Sequence, residues 1–169
     1  SPPSATGRPT TSPTPRASER TIAADAAVSQ VRKYESVLDE LSIHPRLSLD
    51  VLNTVATEPD LAAEIGSLNQ FRNAKDRIEG RTQVTSVQVD GVRLPNQVGR
   101  RDDLPTVKVS ICLYVAGVRA SDSSGRSIVT KSRKPYFLTH LTLVNPRYPK
   151  AAGWLVRNRT DREVDRCAL

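Results

Sequence analysis

The hydrophobic period of this chain changes once, near Gly80, and that change limits the fold more than any other feature. Ahead of it, apolar residues recur at helical spacing. Ala27, Val31, Tyr34, Leu38 and Leu41 lie at steps of four, three, four and three, which is one stripe of a helix. The stripe predicts a helix over about 21–42, capped by Ser18 or Thr21. His44-Pro45 ends it, because Pro lacks an N–H and disfavours helical geometry in the residue before it. A short second helix is expected around Leu49, Leu52 and Val55, with Ser48 as its cap. A third is expected from Thr57, Pro59 and Asp60, with Leu61, Ile65, Leu68, Phe71 and Ile78 inward and its end near Gly80.

Past Gly80 the period is two. Residues 82–94 read as a strand with a bulge or turn at Asp90-Gly91. In 106–118, Val107, Val109, Ile111, Leu113 and Val115 alternate with Lys108, Ser110, Cys112, Tyr114 and Ala116. Residues 136–144 and 153–159 read as two more strands. Helices first and hairpin-linked strands afterwards predict an α+β fold, with N-terminal helices packed on a curved antiparallel sheet.

Residues 1–18 are different in kind. They hold five of the chain's twelve prolines, with Ser and Thr between them and no aliphatic residue larger than Ala. Such a stretch has no apolar surface to bury, so we expect a disordered or extended tether at 1–18 and one domain over 19–169. No Met occurs anywhere in the sequence, which leads us to expect a processed product. No apolar run is long enough to span a bilayer.

Charge separates along the chain. The net charge is +2 in residues 1–18, −4 in 19–80 and +9 in 81–169, for +7 in all. The densest basic stretch is the loop holding Arg119, Arg126, Lys131, Arg133 and Lys134, with Asp122 the only acid among them. It suits an anionic partner, such as a membrane surface or an acidic protein face, or else a loop that only aids solubility. Nucleic acid is not an expected partner, because stacking aromatics do not interleave with these bases and no recognition helix is evident.

The sequence has two cysteines. Cys112 falls mid-strand, on the face opposite the Val/Ile/Leu stripe, and Cys167 is the third residue from the end, in a polar C-terminal stretch. Their separation is unlike a metal or redox pair, so we expect a disulfide that pins the C-terminus to the sheet and implies an oxidising compartment. Motifs for a nucleophile elbow, a phosphate loop or a His-based metal site are absent, and neither a metal nor a cofactor is expected. No catalytic residue is assigned. The one enzyme scheme compatible with the sequence is acid/base chemistry on a small carbonyl compound, with Asp39 or Asp90 as base and Tyr34, Tyr114 or His140 as donor. The carboxylates of Asp39-Glu40 otherwise read as a solvated helix face.

Three stretches carry a family resemblance. They are VRKYESVLDEL in the first helix, VKVSICLYVAGVRASDSSGRSIV with its mid-strand Cys, and a late Gly-Trp-Leu-Val strand followed by a terminal Cys. Together they resemble the nuclear-transport-factor-two-like, or cystatin-like, cone domain over about residues 20–169, and more closely secreted or lipid-anchored envelope proteins of actinobacteria. The resemblance implies a cone-like domain outside the cytoplasm, tethered through a lipidated Cys just before Ser1. It implies a noncatalytic binding or accessory module that contacts another envelope protein or an anionic membrane surface. Tyr34, Tyr114, Tyr136, His140 and Trp154 are the binding residues expected on its pocket or sheet face. The alternatives are a small-molecule isomerase or hydrolyase working in the cone, and a structural homodimer formed through the sheet.

Overall fold

A computed structural model describes residues 18–95 and 103–169 of the chain. Apart from Ser18, the expected tether lies outside the described residues. Helix α1 (Glu19–Ile43) forms where the apolar stripe predicts it. The Ser18 hydroxyl accepts from the Thr21 amide at 3.2 Å and caps its start. His44 closes its other end. A 3-10 helix (Leu49–Thr54) follows, capped by Ser48, and then α2 (Asp60–Ala74).

Helix α2 stops earlier than its sequence pattern suggests. Lys75 adopts a left-handed conformation (φ 60°) and ends it. Ile78 therefore leaves the helix and enters a short strand, β1 (Arg77–Glu79). The main sheet holds β2 (Gln83–Arg93), β3 (Thr106–Tyr114), β5 (Tyr136–Val144) and β6 (Leu155–Val164), neighbours in that order and all antiparallel. It is an open meander and does not close into a barrel. Strand β4 (Arg119–Ser121) lies in the basic loop and pairs with β1, so this loop is partly ordered as a two-stranded ribbon. Register shifts between Val84 and Ser86 and between Val89 and Gly91 are bulges in β2, which bend an edge strand.

The core lies between α1 and the inner face of the sheet. Ala27, Val31, Tyr34 and Leu41 of α1 meet Val107, Val109, Ile111 and Leu113 of β3 and Leu141 and Leu143 of β5, all buried. Residues 55–57 run beside the start of β6, where the Thr57 amide donates to the Val156 carbonyl at 2.8 Å. This contact ties the segment ahead of α2 to the sheet edge. Strand β6 extends five residues past its expected end at 159, to Val164, and so places Asp161 in the sheet beside Arg159.

On the outer face, Cys112 and Cys167 are joined by a disulfide, with Cα atoms 5.9 Å apart across 55 positions of sequence. No helix among the described residues is long and apolar enough to cross a membrane.

Candidate functional site

The five aromatic and His residues expected to bind do not share one surface. Tyr34 is fully buried between helix and sheet. Tyr114 and Tyr136 pair across β3 and β5 on the outer face, with ring centroids 5.2 Å apart. His140 is exposed on that same face. Trp154 is buried at the far end, beside a groove of about 250 Å³ that Ile22 and Tyr148 also line.

Asp90 and His140 do meet, through a residue that sequence reasoning passed over. The Ser110 hydroxyl donates to Asp90 Oδ2 at 2.5 Å and lies 2.7 Å from His140 Nδ1. Because Ser110 has one proton and spends it on Asp90, His140 must donate from Nδ1. The buried hydroxyl therefore pins β2, β3 and β5 together instead of standing free as a nucleophile.

The basic loop is largely matched by local partners. Arg119 faces Glu79 at 3.5 Å, Arg126 faces Asp122 at 3.1 Å and Lys134 faces Asp165 at 2.8 Å. Arg133 donates to the carbonyls of Val115 (2.9 Å) and Val118 (2.8 Å), holding the turn that leaves β3. Lys131 is exposed. Hydrogen bonds from Ser124 and from the Arg126 amide hold the Asp122 carboxyl below its usual range.

The concentrated chemistry lies between the helices and the inner face of the sheet. A half-open cavity of about 510 Å³ is lined by residues of α1, α2 and the inner sheet face. Its apolar wall includes Leu113, Val115 and Phe137. Its polar wall carries Glu35, Asp39, Glu64, Arg159 and Asp161. Each comes from a regular element. Glu35 follows Tyr34 on the buried stripe of α1. Glu64 is one turn beyond Asp60 on α2. Arg159 and Asp161 alternate inward along β6, opposite Leu141 and Thr139.

Arg159 is the hub. Its Nη1 donates to Glu35 Oε1 at 2.9 Å, its Nε to Asp161 Oδ2 at 2.9 Å, and its guanidinium carbon lies 5.7 Å from the Tyr34 ring centroid. The Tyr34 hydroxyl faces Asp60 Oδ2 at 2.8 Å and Glu64 Oε1 at 3.2 Å, one proton against two carboxylates. Asp161 also accepts from the Thr139 hydroxyl at 2.5 Å, and Asp39 accepts from the Thr82 amide at 3.0 Å. Asp39 is thus half-buried on the cavity wall, where a solvated helix face was expected, while Glu40 does turn outward to Arg81.

Burial dominates the electrostatics. It pushes the Glu35 carboxyl up to about 7 against the pull of Arg159. Burial likewise raises Asp39, Asp60 and Glu64 above the usual carboxylate range. The Tyr34 phenol is raised by burial and by the nearby Glu64 charge, so it stays protonated and donates. Burial works against the charge on Arg159, yet Glu35 and Asp161 hold it firmly protonated.

Of this cluster, sequence reasoning had singled out Tyr34 and Asp39. The available signal was polar residues inside apolar patterns: Glu35 within the α1 stripe, and Arg159 and Asp161 continuing the alternation of β6.

No protein-family model matches this chain, and no curated protein matches it. Seventeen chains of solved structures do. One is the crystal structure of the intermembrane space region of the chloroplast protein ARC6, at a TM-score of 0.55 and 15% identity, covering 89% of this chain and 100% of that one. At that identity the likeness extends to the fold alone.

Proposed function

We propose that this protein is a noncatalytic binding module of the bacterial cell envelope that takes its ligand in the cavity between α1, α2 and the sheet. The observation that carries this reading is the cavity itself. At about 510 Å³ it falls within the size range of small-molecule sites, and it combines an apolar wall with a few convergent polar groups. The ionisable groups on and next to its walls engage one another: Glu35 with Arg159, Arg159 with Asp161, and Glu64, with Asp60, at the Tyr34 hydroxyl. Such a network fixes the shape of a site and orients a guest.

The domain we propose is a nuclear-transport-factor-two-like cone over 19–169, on a tether over 1–18. The Cys112–Cys167 bridge supports an extracytoplasmic location, since disulfides persist in oxidising compartments. A fold shared with a region from the space between two membranes is in keeping with that location. Anchoring through a lipidated residue ahead of Ser1 completes the proposal. The outer sheet face, which carries Lys108, His140, Thr160 and Arg162, is too polar to favour a homodimer formed through the sheet. The local ion pairs of the basic loop likewise favour the cavity over an anionic surface as the principal contact.

One observation favours a second reading, a small-molecule isomerase or hydrolyase. A carboxyl raised to about 7 in a cavity is poised for general acid/base work near neutral pH. Against it, Glu35 is already bound by Arg159, and the Tyr34 proton points into carboxylates.

The test is native mass spectrometry of the protein isolated from the envelope fraction, alongside Ser67→Trp, which fills the cavity from its exposed lip. The binding-module reading predicts a retained small molecule that Ser67→Trp loses and that is released chemically unchanged. Retention by Ser67→Trp, recovery only from the cytosol, or release of a converted molecule would overturn it.

A further inference from the structure

The cavity inverts the charge of the chain around it. The protein carries +7, yet Glu35, Asp39, Glu64 and Asp161 line the cavity against Arg159 alone. Arg159 is shared between Glu35 and Asp161 and does not reach Asp39 by any hydrogen bond among the described residues. Glu35 uses Oε1, Asp39 uses Oδ2 and Glu64 uses Oε1; among the described residues the other oxygen of each has no donor. The side chain of Glu35 is only 8% exposed, yet its other oxygen is not sealed in, since among the described residues Arg72 Nε alone is a fully buried side-chain polar atom without a partner. An excess of carboxylates in a cleft with apolar walls creates a negative potential. Among the described residues, no group of three or more His, Cys, Asp or Glu is arranged to hold a metal ion. The missing counter-charge therefore suits an N–H donor. The opposite wall of Leu113, Val115 and Phe137 suits an apolar body.

We propose that the cavity binds an amphiphilic organic cation, with a primary ammonium or guanidinium group against the acidic wall that carries Glu35, Asp39 and Glu64 and an apolar body against Leu113, Val115 and Phe137. This rests on the cavity being the binding site proposed above. The cationic head donates to the carboxylate oxygens that Arg159 leaves free. The charged groups acting on Glu35 are Asp39 from α1 and Arg159 and Asp161 from β6, and those acting on Glu64 are Asp60 from α2 and Arg159 and Asp161. Arg159 repels a second cation, but the carboxylates outnumber it.

The experiment is a methyl NMR titration of the intact chain with three probes of one shape: phenethylammonium, neutral 2-phenylethanol and anionic 3-phenylpropionate. At about pH 8 the ammonium probe shifts the Leu113 and Val115 methyl signals and binds about tenfold more tightly than the alcohol. Glu64→Gln and Glu35→Gln each weaken the ammonium about fivefold and leave the alcohol unchanged. Glu64 is the less buried of the two, so its variant stays informative if Glu35→Gln fails to fold. Equal affinity for the ammonium and the alcohol, or tighter binding of the carboxylate, overturns cation selectivity and leaves the cavity reading standing. If no probe moves the Leu113 or Val115 methyl signals, both fall together.

Discussion

Arg159 Nη1 and Glu35 Oε1 lie 2.9 Å apart although 124 positions separate the two residues in sequence. The pair joins the last strand to the first helix. Only 15% of the Arg159 side chain and 8% of Glu35 are exposed, so the contact is shielded from water and salt. It is strong against disruption of one partner and modest as a net source of stability, because both charges lost hydration to form it.

That asymmetry gives a direct prediction. Arg159→Met leaves Glu35, Asp161 and the acids of α2 without their cation and should cost about 3–5 kcal/mol in urea unfolding near neutral pH. The double variant Arg159→Met/Glu35→Leu should cost less than the sum of its single changes, by about 1 kcal/mol or more. Additive costs would mean that the two side chains do not interact in solution.

Stability should also depend on pH through Glu35. Its carboxyl moves from an ordinary 4.5 to about 7 on folding, so between these values the folded protein holds a proton that the unfolded chain has lost. This contribution is fully present below about pH 4.5 and disappears as the pH rises through about 7. Its size is at most about 3 kcal/mol. The raised carboxyls of Asp39, Asp60 and Glu64 act in the same sense. Glu35→Gln should flatten the slope of unfolding free energy against pH in this window, and an unchanged slope would assign the effect elsewhere.

The bridge between Cys112 and Cys167 restrains the unfolded chain across 55 positions. Reduction, or Cys112→Ala/Cys167→Ala, should lower stability by roughly 4 kcal/mol in the chain-entropy picture. Thiol titration of the protein unfolded without reductant should find no free thiol. Two reactive thiols would remove both the staple and the support it lends to an oxidising location.

Gly80 should tolerate no side chain. It sits at φ +87° between β1 and β2, where a Cβ would lie 2.3 Å from the Gly117 carbonyl oxygen. Gly80→Ala combines an unfavourable backbone conformation with a clash against main chain and should cost about 2 kcal/mol or more. Gly66→Ala is the control, because nothing lies within 4 Å of its added methyl group, and it should be neutral or stabilising within α2. A mild effect at Gly80 would place the β1–β4 ribbon elsewhere.

The elements with strong periodicity were legible in the sequence. The stripe from Ala27 to Leu41 and the alternation from Val107 to Leu113 identify α1 and β3 because burial on one face selects the residue type at each step. Strands β1 and β4 were hidden. Each spans three residues, too few to show a period, and they exist because tertiary pairing brings Ile78 opposite Ala120. The site was hidden for another reason. Glu35, Asp60, Arg159 and Asp161 are inward-facing charges, and polar residues taken singly read as surface. Asp60 looked like a helix-start acid, yet it also accepts the Tyr34 proton. Arg159 and Asp161 reveal themselves only once β6 is followed to Val164.

The central claim is that the space between α1, α2 and the sheet is an acid-rich ligand cavity in which Glu35 is held largely away from water. The most direct measurement is the side-chain carboxyl chemical shift of Glu35, followed by carbon-13 NMR across a pH series, with Glu35→Gln used to assign the signal. A midpoint near 7 is the predicted result. A midpoint near the ordinary 4.5 would mean that water reaches this carboxyl freely and would contradict the account of the cavity.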